Sequence, residues 1–271
     1  MGKIIAFANQ KGGVGKTTTC INVAAYMAAM GKKVLIVDMD PQGNASSGVG
    51  IEKSSDLKTL YNVIDKEVMI DEIILPTTLV GLDIVPATVD LAGAEIDLVQ
   101  MSSREHVVKK ALDRIKDRYD FILIDCPPSL GLLTVNALTA SDSVLIPIQC
   151  EFFPLEGLTQ LMNTIRLIIH HLNPELKIEG VVLTMKDNRS NLVQQVSEEV
   201  RKFFNTKVYD TYIPRNVRLA EAPSHGLPIV LYDTSSKGAN AYLSLAEEIL
   251  NRNKISYEKI TKNSKIRVRS K

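Results

Sequence analysis

A glycine-rich stretch near the amino terminus carries the clearest chemistry in the sequence. Residues 11–18 read KGGVGKTT and lie between an apolar run at 4–8 and an alanine-rich amphipathic run at 20–30, a pattern that predicts a strand, a turn and a helix. Backbone N–H groups in such a turn form a nest for anions, and the positive end of the helix dipole points at the same place. The stretch therefore predicts a phosphate site, in which Lys16 contacts the β- and γ-phosphates and the Thr17 hydroxyl is a ligand of Mg²⁺.

The prediction of a nucleotide site covers the whole loop and leaves one residue to explain. The general phosphate-loop pattern requires a glycine where this chain has Gln10, so the pattern fails at that position. The pattern also assigns no role to a second lysine, which this loop has at Lys11. A glycine turn that only packs a helix against a strand is the structural alternative, but it does not require the Gly-Lys-Thr-Thr ending. The residues that we predict to bind nucleotide in this phosphate loop are Lys11, Gly12, Gly13, Val14, Gly15, Lys16, Thr17 and Thr18.

Acidic residues end two of the apolar, β-branched runs. Asp38 and Asp40 follow the second run, and Asp125 follows the fourth. The carboxyl ends of parallel strands meet at one edge of a sheet, where ligands bind. We predict that Asp125 holds Mg²⁺, directly or through water, with a turn cap as its alternative role. Asp40 is predicted to orient the attacking water or accept its proton, and Asp38 to support either the metal or the loop.

The elements that position these residues alternate along the chain, which favours an α/β fold with a single doubly wound, mostly parallel sheet flanked by helices. The predicted strands are at 4–8, 34–37, 82–85, 121–124, 144–148, 180–184, 207–213 and 228–230. The clearest predicted helices are at 16–30, 104–118, 155–171, 192–204 and 238–252. No repeat or low-complexity linker interrupts this order, so we predict one domain over residues 1–253.

Composition limits the classes of protein that the chain can belong to. Its 271 residues are 45% hydrophobic, enough for a large core. No apolar run approaches the roughly 20 residues of a membrane span, and no signal-peptide pattern begins the sequence, which predicts a cytoplasmic protein without membrane insertion. The three cysteines, Cys20, Cys126 and Cys150, have no metal-like spacing and are expected to be small buried residues.

The charge of the chain is unevenly distributed. Residues 254–271, here called the tail, contain seven basic residues and one acidic residue, a local net charge of +6 against +1 for the whole chain. The remainder is therefore mildly acidic. A basic tail suggests contact with polyanions, and a solvated, disordered terminus is the alternative.

Three motifs together resemble the ParA/MinD family of deviant Walker A ATPases: the phosphate loop, the sequence DMDPQGN at 38–44 and the sequence DCPPS at 125–129. Further stretches are similar to the chromosomal ParA branch called Soj, and they lie at 86–95, 151–158 and 213–226. The resemblance covers roughly residues 1–250. It implies a P-loop NTPase fold of the SIMIBI type, an ATPase activity, and the cofactors ATP and Mg²⁺.

The resemblance also implies a role for the second lysine. In the family, the lysine that matches Lys11 reaches across a nucleotide-bound homodimer to the phosphates of the partner, so Lys11 joins Lys16 and Asp40 as a predicted catalytic residue. Such a cation stabilises charge that develops on the transferred phosphoryl group. Gly12 is expected to lie where two subunits face each other. Pro214 and Asn216 match the segment that contacts adenine.

DNA binding without sequence preference is the second implied property. In Soj-like proteins an arginine in the loop that matches residues 185–192 is needed for it, and Arg189 occupies that position. Phosphate contacts require only suitably spaced cations, and Lys186 and Arg218 are predicted to extend the patch. A ParB-like centromere-binding protein is the implied partner, and the implied location is the nucleoid.

A membrane-switch ATPase like MinD is the alternative, because it shares nearly all of the nucleotide motifs. Such a protein should end in a short amphipathic helix. Ile255, Ile260, Ile266 and Val268 do not fall on one helical face, and cations surround them. The sequence therefore favours the partitioning ATPase.

Overall fold

One mixed sheet lies at the centre of the fold. The computed structural model describes residues 2–150, 154–187, 191–261 and 264–269. Within these residues the strands are β1 (Lys3–Phe7), β2 (Val34–Asp38), β3 (Leu75–Pro76), β4 (Leu82–Val85), β5 (Phe121–Asp125), β6 (Ser143–Gln149) and β7 (Lys177–Thr184). Their order is β3-β4-β2-β5-β1-β6-β7, and every neighbouring pair is parallel except β3 with β4. The predicted α/β fold with a mostly parallel sheet is confirmed.

Helices fill the crossovers between the parallel strands. The α-helices are α1 (Lys16–Ala29), α2 (Asn44–Gly48), α3 (Leu60–Ile64), α4 (Ala94–Val99), α5 (Val107–Asp113), α6 (Leu132–Ala140), α7 (Pro154–His171), α8 (Asn191–Phe204), α9 (Val217–Glu221), α10 (Ile229–Tyr232) and α11 (Lys237–Arg252). Short 3₁₀ helices lie at Ile70–Glu72, Val89–Ala92, Arg104–His106, Lys116–Arg118, Asn205–Lys207 and Ala222–His225.

Alternate residues of the strands face two hydrophobic cores, one on each side of the sheet. In β1, Ile4 and Ala6 belong to the core that α3 to α8 cover, whereas Ile5 and Phe7 belong to the core that α1, α10 and α11 cover. This alternation follows from the two-residue period of a strand. Burial on both faces explains why these strands read as continuous apolar runs rather than as alternating patterns.

The predicted strand at 207–213 is wrong. Tyr209 and Ile213 donate their N–H groups to β7 at 2.8 Å each, so the segment does run beside that strand. Between them, however, the N–H groups of Asp210 and Thr211 donate to the Glu248 carboxylate of α11 at 2.9 and 3.0 Å. A side chain from a helix therefore takes the donors that a regular ladder would use, and two isolated bridges remain.

The predicted strand at 228–230 is also wrong, because this segment begins α10. Pro228 is the N-cap residue, with a φ of −61°. The Ile229 N–H donates to Asn22 Oδ1 of α1 at 2.8 Å, which satisfies a donor that a helix start leaves free.

The predicted helix at 104–118 consists of three pieces rather than one. It is divided into a 3₁₀ turn, α5 and a second 3₁₀ turn. The Ile115 and Arg118 N–H groups bond to the carbonyls three residues earlier, which tightens the chain after α5. The apolar period continues through this change, since Ile115 is buried in the core.

Close packing at Gly180 in β7 gives a test of the fold. A Cβ atom added there would lie 2.4 Å from Cε2 of Tyr209, whose side chain is fully buried. We expect Gly180→Ala to lower the free energy of unfolding by about 1–3 kcal/mol, the usual cost of overpacking. Gly12→Ala is the matched control, because Pro128 Cβ, 4.0 Å away, is the nearest atom to its added Cβ. Urea unfolding measures both, and equal stabilities would contradict the expectation.

Candidate functional site

The phosphate loop joins β1 to α1 as an open cradle. Gly13 and Gly15 have φ angles of 73° and 83°, a backbone conformation that favours glycine. A Cβ added at Gly13 would meet no heavy atom within 4 Å, and one added at Gly12 would meet only Pro128 at 4.0 Å. The glycines therefore leave space above the loop free. Because α1 begins at Lys16, its first N–H groups lie at this cradle and favour an anion.

Two polar side chains that the sequence analysis missed anchor the phosphate loop. Asn9 Oδ1 accepts the Lys11 N–H at 3.0 Å, and Asn9 Nδ2 donates to the carbonyl oxygen of Pro147 at 2.7 Å. Thr184 Oγ1 donates to the carbonyl oxygen of Val14 at 2.8 Å. The loop is thus fixed to the ends of β6 and β7. The only signal in the sequence is that both residues are polar and stand at the ends of buried strands.

Lys16 lies at the base of the cradle, where its side chain is buried. Its Nζ donates to the Lys11 carbonyl at 3.4 Å. Burial lowers the pKa of the Lys16 amine, and the neighbouring carboxyl groups of Asp125 and Asp40 oppose that effect. The ammonium group is therefore held among acidic groups at the point where a phosphate would replace solvent.

Asp38 and Asp125 stand opposite each other in the register of β2 and β5, and both are fully buried. Burial raises the pKa of Asp38 to about 6. Burial and the charge of Asp38 raise the pKa of Asp125 well above its usual range, while the Thr17 hydroxyl and Lys16 oppose the increase. Two carboxyl groups that are buried side by side can both be charged only if a positive group lies next to them.

The two carboxylates differ in their hydrogen bonds, and this difference separates their roles. Asp38 accepts the Ser46 N–H at 2.8 Å, the Ser46 hydroxyl at 2.7 Å and the Asp40 N–H at 3.2 Å. Among the described residues, neither buried oxygen of Asp125 has a partner within hydrogen-bond distance, and the Thr17 hydroxyl is the polar group that faces it. Of the two roles predicted for Asp38, these contacts favour support of the loop.

An Mg²⁺ ion suits the environment of Asp125. Its unpartnered carboxylate oxygens and the facing Thr17 hydroxyl are hard oxygen ligands, which this ion prefers, and Mg²⁺ usually takes few protein ligands beside waters and phosphates. The positive charge would also offset the repulsion between the buried carboxylates. The residues present therefore fit the metal, and the ligand roles of Thr17 and Asp125 stay predictions.

Asp40 lies just beyond β2 at the edge of the cradle. Its side chain is buried, and Oδ1 accepts the Gln42 N–H at 2.9 Å. The charge of Asp40 raises the pKa of both Lys16 and Asp125, so the three side chains lie close enough to interact electrostatically. Asp40 is thus held in position by its own turn and is close to the phosphate loop, as a residue that orients water must be.

An apolar pocket of about 320 Å³ adjoins the phosphate loop. Pro214 and Asn216 line it together with Gly15 and Thr18. Asn216 Oδ1 is buried and has no hydrogen-bond partner among the described residues. An apolar wall with one unsatisfied acceptor suits a flat, amine-bearing ring, so the predicted contact with adenine has a plausible geometry and stays a prediction.

Two of the three predicted DNA-contact residues lie within the described part of the chain. Arg189 lies outside the described residues. Lys186 is over the ring of Tyr212, with its Nζ 4.5 Å from the ring centroid. Arg218 forms ion pairs with Glu221 at 2.9 Å and Asp233 at 3.4 Å, so much of its charge is already compensated. The roles of these residues in DNA binding stay predictions.

Comparisons with known proteins identify the family. A family model described as an AAA domain matches residues 2–178. The sporulation initiation inhibitor protein Soj of Bacillus subtilis (strain 168) is 61% identical over 249 residues, which cover 92% of this chain and 98% of that protein. The chain belongs to the ParA family of P-loop ATPases. The chromosome partitioning protein ParA of Myxococcus xanthus (strain DK1622) is 54% identical over 252 residues, which cover 93% of this chain and 89% of that ParA protein.

A solved structure shares the fold of this chain. The crystal structure of cobyrinic acid a,c-diamide synthase from Mycobacterium smegmatis, with bound ADP and magnesium, is 34% identical to this chain and has a TM-score of 0.83. The match covers 96% of this chain and 100% of that one. The identities to Soj and ParA proteins confirm the resemblance to the ParA family that the motifs indicated. Among the described residues, no helix combines the length and the apolar character that a membrane crossing requires.

The unpartnered carboxylate of Asp125 predicts a pH-dependent stability. Because folding raises its pKa, folded Asp125 keeps its proton at pH values where the unfolded chain has released it. The contribution of Asp125 to stability therefore falls as the pH rises above about 4, the ordinary pKa of an aspartate. An asparagine needs no proton in order to be buried as a neutral group, so Asp125→Asn should raise the urea midpoint of the metal-free protein at about pH 7.5 but not at about pH 4.

The control for this measurement is Asp117→Asn, which changes an exposed carboxylate. Both variants are unfolded in urea with a chelator present. An Asp125→Asn midpoint that exceeds the wild type equally at both pH values would show that charge burial is not the cause.

Proposed function

We propose that this chain is a chromosome-partitioning ATPase that binds ATP with Mg²⁺, closes into a homodimer, and in that state binds double-stranded DNA without sequence preference. The observation that carries the proposal is the open cradle of the phosphate loop above Lys16, beside the unpartnered oxygens of Asp125. Membership of the ParA family and the names of its relatives support the partitioning role. A ParB-like protein is the proposed partner that stimulates turnover, and the nucleoid is the proposed location.

Some residues of the site bind the nucleotide and the metal, and others position the attacking water. ATP supplies the phosphoryl group, and Mg²⁺ neutralises charge on its oxygens. The backbone of the phosphate loop and Lys16 hold the phosphates, while Thr17 and Asp125 hold the metal. Asp40 orients the attacking water or accepts its proton. The pocket lined by Pro214 and Asn216 excludes water from the base.

Lys11 links hydrolysis to assembly in this proposal. Its backbone is fixed by Asn9, while the residue itself is exposed at the mouth of the cradle. An exposed lysine there can reach the phosphates of a second copy and supply a cation in trans. Gly12 leaves the facing surface flat, so a larger side chain at Gly12 should obstruct closure of the dimer.

The described part of the tail does not favour the membrane-switch alternative. Residues 254–261 and 264–269 form no α-helix. Ile255, Ile260 and Ile266 are half-buried and pack against the core rather than forming an exposed apolar face. A membrane-binding amphipathic helix requires such a face. DNA is therefore the better supported target of the switch.

The proposed role of Asp40 predicts a separation of binding from hydrolysis. Asp40→Ala should keep ATP affinity and ATP-driven dimerisation but lose hydrolysis by about 10²–10⁴-fold, the usual contribution of a positioned acid or base. Light scattering measures the dimer, and phosphate release measures turnover. Phosphate release at the wild-type rate would remove Asp40 from the mechanism.

ATP-dependent retention on DNA tests the proposed function itself. At about 0.2 M salt, where weak non-specific contacts are lost, we expect duplex DNA to retain the protein with ATP but not with ADP or without nucleotide. Lys16→Ala should abolish retention because it cannot hold the phosphates. Equal retention in all three nucleotide states would contradict the proposal.

The predicted contact of Arg189 is tested in the same assay. Arg189→Ala should spare ATP-driven dimerisation but reduce the salt slope of DNA binding by about one unit, the loss of one neutralised phosphate. Arg114→Ala is the control, since Arg114 is an exposed arginine that lies far along the chain from that loop. Unchanged DNA binding by Arg189→Ala across a salt series would exclude this contact.

A further inference from the structure

A cleft lies at the end of the sheet opposite the phosphate loop. The amino ends of β2 and β4 open into it, whereas the candidate nucleotide site occupies the carboxyl ends. The cleft has a volume of about 690 Å³ and is walled by residues 28–33, 79–83 and 118–119 on one side and by the tail on the other. We call it the basal cleft.

The tail is held at the basal cleft by its backbone. Val80 N–H donates to the Arg267 carbonyl at 3.0 Å, and Arg269 N–H donates to the Thr78 carbonyl at 2.8 Å, on either side of an antiparallel bridge between Leu79 and Val268. The tail therefore continues the edge of the sheet at the turn between β3 and β4.

Side chains complete the attachment of the tail. The Arg269 guanidinium donates to Asp83 at 2.9 Å and to the Thr77 carbonyl at 2.7 Å. Tyr257, Ile260 and Ile266 pack against the core that α1 and α11 cover. The described part of the tail thus has a defined position without help from its other cations.

Cations from the tail and from the body make the basal cleft strongly basic. Six that line it have no carboxylate oxygen within 4 Å of their side-chain nitrogens among the described residues: Lys32, Lys33 and Arg118 from the body, and Lys259, Lys265 and Arg267 from the tail. Two acidic residues line the cleft, and one of these, Asp83, is paired with Arg269. Uncompensated charges in a concave surface attract polyanions and raise their local concentration.

We propose that the basal cleft is a second nucleic-acid site, which binds the phosphate backbone of double-stranded DNA without sequence preference and without a need for ATP. This inference goes beyond the proposed function and does not rest on it, because the cleft is complete in a single chain. In a dimer that closed through the phosphate loops, one basal cleft would face outward at each end.

The chemistry of the cleft favours a nucleic-acid backbone over two other anions. A small anion such as free phosphate needs desolvated donors, but the tail lysines and Arg267 are exposed. A polyanion instead gains affinity from many exposed cations through the release of counterions. A membrane surface would require exposed apolar side chains, and Val268 is the only exposed one in the described part of the tail.

The test uses the full chain with ADP, so that ATP-driven assembly plays no part. Fluorescence anisotropy of a labelled DNA duplex is measured from about 0.05 to 0.2 M salt. The variant Lys259→Gln/Lys265→Gln/Arg267→Gln removes three charges, and the backbone bonds of the tail are unaffected. We expect its salt slope to be smaller by about 2–3 units and its affinity at the lowest salt to be at least about tenfold weaker.

A matched control has the same number and kind of cations at another cleft. Lys66→Gln/Lys110→Gln/Arg114→Gln changes two exposed lysines and one exposed arginine that line a cleft of about 680 Å³ on the side of α3 and α5. Its salt slope should equal that of the wild type. A single variant in the body, Arg118→Gln, leaves the tail untouched and should lower the slope by about 0.9 units.

Three outcomes would overturn the proposal. One is a triple tail variant with the wild-type slope and affinity. Another is a salt slope that decreases as much in the control variant as in the tail variant, which would show that DNA binding responds only to the net charge of the protein. The third is loss of sedimentation with phosphatidylglycerol vesicles while duplex binding is unchanged, which would assign the cleft to membranes. Failure here leaves the ATP-dependent retention at about 0.2 M salt unaffected, so the two proposals are tested separately.

Discussion

The repulsion between two buried carboxylates is the constraint on which the site depends. Asp38 and Asp125 are brought side by side by the register of β2 and β5 and are shielded from water by both cores. Without a ligand, neither carboxyl group is stable in its charged form, because burial favours the protonated form of each. Both groups can be charged together only beside cations, and Lys16 and a divalent metal are the cations that this geometry admits. Nucleotide binding is therefore a way to relieve a strain that the fold creates.

Hydrogen bonds decide which carboxylate can respond to a ligand. Asp38 is committed to Ser46, whose hydroxyl in turn accepts the Ala87 N–H at 3.0 Å, so this network joins β2 to the segment after β4. Asp125 has no such hydrogen bond to the part of the chain that the structure describes. One member of the pair thus fixes the turn that carries Asp40, while the other remains available to a metal. A charge change at Asp125 can act on Asp40 through this fixed framework without any large movement of the chain.

The sequence predicted the parts of the site that are local in the chain. The phosphate loop could be found because a strand, a turn and a helix follow each other within about 25 residues, and Asp125 because it ends an apolar, β-branched run. Asn9 and Thr184 could not, since their partners Pro147 and Val14 are 138 and 170 positions away. The prediction of a strand at 207–213 is wrong for the same reason. The segment has an apolar pattern typical of a strand, but Glu248 of a helix later in the chain accepts two of its backbone N–H groups. Local patterns identify elements, and long-range polar contacts decide their final form.

The tail shows that apolar side chains can be buried where no regular element is present. Its isoleucines match no helical face, yet Ile260 and Ile266 both pack inward, because the backbone is fixed by bonds to residues 78–80 rather than by its own repeat. Those bonds leave the neighbouring lysines turned to solvent. Ordering such a segment costs conformational entropy of about 1–2 kcal/mol per residue, which the apolar contacts and the Arg269 ion pair must offset. A polyanion that contacts the docked tail would therefore also stabilise its docking, since it meets the cations only in that arrangement.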